Sequence, residues 1–162
     1  MKEKPDPVRT PYAEPGRRNP ATGVHIYSGQ RTVVFLTVRT LKQSQWLANE
    51  APHELLKETW RDASAWRVGD YLLMPDHLHL FCSPGDMEIG IEDWIQYWKR
   101  AFKRLHDHAH WKFQSRGWHH RLRSDEEYSE KWRYVMENPV RKGLVKSVED
   151  WPYRGRVFDV GV

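Results

Sequence analysis

Cysteine is nearly missing from this chain: Cys82 is the only one in 162 residues. A lone thiol excludes a disulfide framework and any zinc site built from cysteines. Long apolar runs are missing too. No stretch approaches the roughly 20 residues of a membrane span, and the N-terminus has no apolar leader core. A cytoplasmic protein without a membrane partner is therefore expected. There is no internal repeat and no low-complexity tract. Acid is scarce in one window: from Lys99 to Arg123, Asp107 stands alone against eight Lys or Arg and five His.

What is present suits one domain with a real core. Hydrophobic residues make up 39% and charged ones 30%, which is polar, yet nine tryptophans provide large apolar surfaces to bury. The formal charge of +4 and pI near 9.2 favour an anionic partner. Prolines 5, 7, 11, 15 and 20, interleaved with Lys2, Lys4, Arg9, Arg17 and Arg18, block both helix and ladder. Residues 1–29 are thus expected as an extended basic arm, 30–155 as the single folded domain and 156–162 as a tail.

Within the domain, the β-branched run over 30–38 predicts a buried strand, and 52–65 a helix starting at Pro52. Residues 66–73 and 77–83 predict two strands joined at Met74, Pro75 and Asp76. Ile91, Trp94, Ile95, Trp98, Phe102 and Leu105 recur at helical spacing and predict an apolar stripe facing a core. Ser124 and Glu127 have capping-box spacing, opening a helix expected to reach Asn138, where Pro139 disfavours its continuation. Trp151, Tyr153, Val157 and Phe158 remain as a last apolar segment, an edge strand or a packed terminus.

Three features carry chemistry. The first is His77-Leu78-His79 on the second strand of the pair. Side chains alternate between faces, so the two imidazoles project together while Cys82 points the other way. An isolated pair of this kind is more often two half-buried histidines than half a metal site. The second is the basic window, where Lys99, Arg100, Lys103, Arg104, Lys112, Arg116, Arg121 and Arg123 interleave with Trp111, Phe113 and Trp118. Such a run is commonly a solvated face. It also suits single-stranded nucleic acid, with cations along phosphates and rings stacked on bases. The third is Tyr134. On the last helix it falls roughly 120° from the middle of the stripe Tyr128, Trp132, Val135 and Met136, with Asn138 about 40° from it at one turn's distance. The ordinary alternative is an amphipathic tyrosine at a core boundary.

Three separated blocks make the sequence recognisable: residues 74–81 around the histidine pair, 113–123 around Gly117-Trp118-His119-His120, and 134–145, where Tyr134 is followed at four residues by Asn138-Pro139. In that order they resemble the REP-associated tyrosine transposases, a branch of the single-tyrosine transposases of the HUH endonuclease superfamily. The resemblance runs from about residue 30 to residue 155. It implies a ferredoxin-like or RRM-like α+β domain, an antiparallel sheet with helices packed on it. His-x-His would lie on a central strand and the nucleophile on a C-terminal helix. It further implies that His77 and His79 bind Mg²⁺ or Mn²⁺ and that Tyr134 attacks a phosphodiester of single-stranded DNA bearing palindromic hairpins. The products would be a 5′-phosphotyrosine link and a free 3′-hydroxyl. Arg141, inside the third block, joins the candidate DNA contacts. A monomer is expected, with a dimer left open.

The chemistry is coherent residue by residue. Mg²⁺ prefers oxygen ligands and Mn²⁺ tolerates nitrogen better, so an oxygen donor is wanted beside the imidazoles. The Asn138 amide carbonyl is the candidate, although relatives vary between Gln, Glu and His in comparable roles. Two other readings compete. A non-catalytic nucleic-acid-binding module on the same scaffold explains the basic window but not His77, His79 and an off-stripe Tyr134 together. A zinc hydrolase lacks further ligands, since Leu80-Phe81-Cys82-Ser83 supplies none on the histidine face.

Overall fold

The computed structural model describes residues 32–160; the arm expected over 1–29 lies outside them. Its organising unit is a tight hairpin. The apolar runs on either side of Pro75 and Asp76 become β2 (Trp66–Met74) and β3 (His77–Pro84), paired antiparallel with Met74 opposite His77. β1 (Val34–Thr40) pairs antiparallel with the other edge of β3. Thr40 secures the hairpin tip, since its N–H and hydroxyl both donate to the Asp76 carbonyl.

Helix α1 (Glu50–Asp62) joins β1 to β2, and α2 (Ile91–Lys103) joins β3 to β4 (Phe113–Arg121). After β4 come α3 (Asp125–Met136), the short α4 (Asn138–Arg141) and a three-residue strand β5 (Arg154–Arg156). The strand order is β4-β1-β3-β2-β5, antiparallel throughout. Without β5 this is the βαββαβ order of a ferredoxin-like fold, so the α+β expectation holds. No helix among the described residues is long and apolar enough to cross a membrane.

The two sheet faces bury different things. On one, Val34, Leu36, Val38, Leu78, Leu80 and Cys82 meet α1 and α2 through Trp60, Trp94, Trp98 and Phe102, all at most 1% exposed. Aromatic side chains bury roughly 150–250 Å² each, which lets a polar chain close this layer. On the other, Phe35, Phe81, Leu72 and Met74 pack against Tyr128 and Val135 of α3 and against Trp151. A register shift between Val68 and Tyr71 in β2 turns Asp70 to this second face. There the Asp70 carboxylate accepts from the Tyr128 hydroxyl and, at 3.0 Å on each oxygen, from Arg156. One buried carboxylate thus joins β2, α3 and β5.

Several expectations need correction. The α2 stripe ends at Phe102, because the helix stops at Lys103 and Leu105 is left 42% exposed. α1 begins at Glu50 and ends at Asp62, short of residue 65. α3 ends at Met136, and Asn138 opens α4 instead of ending α3. The capping box is half formed: Ser124 Oγ accepts from Glu127 N at 3.0 Å, but the Glu127 carboxylate turns to the Arg123 N–H and to His120. The basic window was not expected to be a strand, yet its second half is β4. Residues 157–160, read as an edge strand or a packed terminus, are packed beyond β5: Val157 and Phe158 donate to the Gly69 and Val68 carbonyls, and Val160 is 8% exposed. The outer edge of β2 carries backbone groups that need partners, and this segment provides them.

Replacing Tyr128 with Phe leaves Asp70 its Arg156 partner but removes the hydrogen bond from α3. We expect a loss of roughly 1–2 kcal/mol, read as a lower urea midpoint with unchanged slope. An unchanged midpoint would show that this bond does not anchor α3.

Candidate active site

β3 lies between β1 and β2, so its side chains are flanked on both sides. His77 and His79 sit on the α3 face, alternating with Leu78 and Leu80 in the tryptophan-rich core. Their rings meet edge to face, with centroids 4.8 Å apart and planes at 80°. Each ring has one nitrogen engaged. His77 Nδ1 lies 2.8 Å from Asp76 Oδ1, and His79 Nδ1 lies 2.9 Å from Thr37 Oγ1, directly across the β1–β3 register. A carboxylate accepts, so His77 donates from Nδ1 and keeps its lone pair on Nε2. Nδ1 of His79 is held by the Thr37 hydroxyl, which can accept from it or donate to it; where the hydroxyl accepts, His79 takes the same tautomer. This is the arrangement that orients a metal-binding imidazole.

Both rings are held neutral. Burial, followed by His77, Arg39 and Lys131, lowers the His79 pKa to about 3. Burial also lowers His77, outweighing the raising effect of Asp76, with Arg39 and Lys142 acting in the same direction as burial. Arg39, Lys131 and Lys142 therefore bring positive charge to the pair from β1, α3 and the residue after α4. None of them was singled out from the sequence. Phe35 was missed as well: it stacks on His79 at 5.3 Å and 17°, with Lys131 Nζ 5.2 Å from its centroid. Strand register brings these residues together, and register is not visible in one sequence.

The sequence-predicted residues separate into two layers. Tyr134 is on α3, off the buried stripe and 62% exposed. The Arg141 guanidinium lies 3.8 Å from its ring centroid and donates to the Tyr134 carbonyl at 2.8 Å. Among the described residues no ring contact joins Tyr134 to either histidine. Asn138 is half-buried at the start of α4. On β4, Arg116 is exposed where the register with β1 shifts, and alternation puts Arg121 on the face opposite the histidines; Lys112 and Arg123 are exposed at its ends. Lys99, Arg100 and Lys103 belong to α2 and Arg104 is its C-cap, in the opposite layer from the histidine pair. Lys99 is also engaged, donating to the Gln114 carbonyl at 2.6 Å, and burial lowers its pKa to about 8.

The donor set fits a divalent ion incompletely. His77 offers an Nε2 lone pair, and His79 a second in the tautomer that donates to Thr37, but among the described residues no group of three or more His, Cys, Asp or Glu is disposed to hold a metal. Further donors must come from an amide, water or a bound substrate, which suits an ion that keeps open positions. Cys82 is fully buried in the other layer and takes no part.

Comparison with known proteins gives the context. No family model matches the chain. A REP-associated tyrosine transposase of Escherichia coli (strain K12) is 28% identical over 90 residues, covering 54% of this chain and 53% of that protein. The chain resembles the REP-associated tyrosine transposases. A Haemophilus influenzae protein named provisionally for the same group is 29% identical over 103 residues, covering 54% of this chain and 57% of its own length. The chain spans about half the length of these curated relatives. The solved structure of a REP-associated tyrosine transposase bound to a REP hairpin superposes with a TM-score of 0.64 at 22% identity, over 80% of this chain and 79% of that one. That likeness establishes a shared fold with the REP-associated tyrosine transposases.

His79 should stay neutral well below the ordinary histidine range of about 6.5. Nitrogen-detected NMR should find no titration of its ring between pH 7.5 and 5; a midpoint at or above 6 would contradict this geometry. The linkage has a definite sign. The unfolded ring protonates first, so the stabilisation is complete above about pH 6.5 and is lost as the pH falls towards 3.

Proposed function

We propose that the chain is a metal-dependent DNA strand transferase. It would cut and rejoin single-stranded DNA at palindromic, hairpin-forming repeats through a 5′-phosphotyrosine intermediate. One observation carries the reading: two neutral imidazoles, each with Nδ1 held by the protein, share a sheet face with the helix that bears an exposed, off-stripe tyrosine. The resemblance to the REP-associated tyrosine transposases supports it.

In this reading His77 and His79 hold Mg²⁺ or Mn²⁺ through Nε2, and the Asn138 carbonyl is the candidate third protein donor. A bound divalent ion supplies positive charge to offset the extra negative charge of a phosphodiester transition state. Tyr134 is the nucleophile. Its phenol gives up a proton and Oη bonds to the scissile phosphorus. The bond from phosphorus to the 3′-oxygen then breaks, and that oxygen leaves as a hydroxyl after taking up a proton. The segment downstream of the cut stays on the enzyme through its 5′-phosphate, so the phosphodiester energy is kept for rejoining. Arg39, Lys131 and Lys142 add positive potential around the imidazoles, where a phosphate would dock. Arg116, Arg121, Arg123, Lys112 and Arg141 extend that potential along β4 and α4. Lys99, Arg100, Lys103 and Arg104 would reach DNA only where it wraps to the α2 side. The protein acts in the cytoplasm as a monomer, with Tyr134 serving the histidine pair of its own chain.

Tyr134→Phe should abolish strand cleavage of a metal-supplied hairpin oligonucleotide while leaving affinity within about threefold; nicking at the normal rate would remove Tyr134 from the nucleophile's role. The paired change His77→Ala and His79→Ala should abolish cleavage and Mn²⁺ binding measured by calorimetry. Unchanged Mn²⁺ affinity would defeat the ligand assignment. Tight binding with neither cleavage nor a covalent adduct in the wild-type protein would favour a non-catalytic binding module.

A further inference from the structure

Resting on that reading, we infer that Trp118 is the stacking platform for one unpaired nucleobase beside the scissile phosphate. The basic window holds three large aromatic residues, and the fold uses two of them internally. Trp111 stacks on Trp46 at 5.4 Å and 9°, and Phe113 packs edge-on to Trp46 and Trp98 at 5.2 and 5.5 Å. Both belong to the α1–α2 layer. Trp118 differs: it is 49% exposed, and its neighbours in register place it on the histidine face.

The register fixes its position relative to the site. Thr37 of β1 is opposite His79 on one side and opposite Trp118 on the other. Two strand spacings separate the indole from the imidazole, roughly 10 Å, a reach suited to a base near a phosphate held at the histidines. The ring is also braced. His120 lies parallel to it at 5.9 Å and 15°, Phe35 meets it edge-on at 6.3 Å, and Phe35 in turn stacks on His79. His79, Phe35, Trp118 and His120 thus form one continuous aromatic row. An exposed indole held in place by packing loses little freedom when a flat partner lands on it.

Charge specifies the occupant. Arg39 and Lys131 act electrostatically on His79, and Arg116 is exposed two residues before Trp118. Flat aromatic surface flanked by cations matches a strand with a π-face on each base and an anion on each linkage. Gly117, the neighbour of Trp118, keeps this part of β4 close to β1: a Cβ there would stand 3.2–3.3 Å from Leu36, Thr37 and Val38.

The test uses the full chain carrying Tyr134→Phe, to prevent turnover, and a DNA hairpin with unpaired flanks of mixed sequence. Fluorescence anisotropy at several salt concentrations gives affinity and salt slope. Trp118→Ala should weaken binding roughly 5- to 100-fold, the range for loss of one stacked base, with the slope unchanged because no phosphate contact is lost. Trp118→Tyr should stay within about threefold of the parent, which separates stacking from misfolding. An abasic substitution walked along the flank should cost affinity at one position next to the cleavage site in the parent, and cost nothing there in Trp118→Ala. The inference is overturned if Trp118→Ala binds within twofold, if its salt slope flattens, if Trp118→Tyr binds as weakly as Trp118→Ala, or if the abasic penalties match in both proteins. A Tyr134 adduct in the wild type alongside unaltered Trp118→Ala binding would sink the platform and leave the proposed function standing. A flank-dependent Trp118 effect without any wild-type adduct would do the reverse.

Discussion

Two hydrogen bonds hold the geometry on which the site depends: Asp76 on Nδ1 of His77 and Thr37 on Nδ1 of His79. They fix which nitrogen of each ring faces outward. They also bind the site to the fold, because Asp76 belongs to the β2–β3 turn and Thr37 to the neighbouring strand. The turn is held in turn by Thr40 at the end of β1. Orientation, tautomer and strand pairing are thus one structural problem. Burial completes it by keeping both rings neutral with positive charge close by.

The division of labour between the sheet faces follows from composition. Four large aromatic side chains from α1 and α2 seal one face and supply apolar burial there. The other face is only partly covered, by α3 and by the segment around Trp151. α3 needs more than apolar contact to stay seated, and the Asp70 carboxylate provides it through Tyr128 and Arg156. Among the described residues, Trp118 on the half of this face next to β4 is left 49% exposed.

Much of this was legible in the sequence because it is local. The alternation of His77-Leu78-His79, the three-and-four spacing from Ile91 to Phe102, and Tyr134 lying off the Tyr128–Val135 stripe are each set by neighbours within a few residues. The ferredoxin-like α+β architecture came from the resemblance, and the strand order agrees with it. The misses are non-local or marginal. β4 was hidden because its edge position leaves Ser115, Arg116 and Trp118 exposed, so it lacks the apolar run of a buried strand. Arg39, Lys131 and Lys142 gather at the histidines through register and helix placement, which sequence spacing cannot reveal. The basic residues of α2 looked continuous with those of β4, yet the chain passes from one layer to an edge between them. Leu105 kept the helical spacing but lies past the helix end.

Arg141 spans the joint between α3 and α4 with three holds: the face of the Tyr134 ring, the Tyr134 carbonyl, and Glu137 at 3.4 Å. Rotating the phenol alone would peel it from the cation, whereas shifting the whole joint keeps the stack intact. On the proposed reading, a phosphate reaching the N–H edge of this guanidinium would displace Glu137 and the Tyr134 carbonyl while leaving the face on the ring, so the phenol could stay latched as the strand docks.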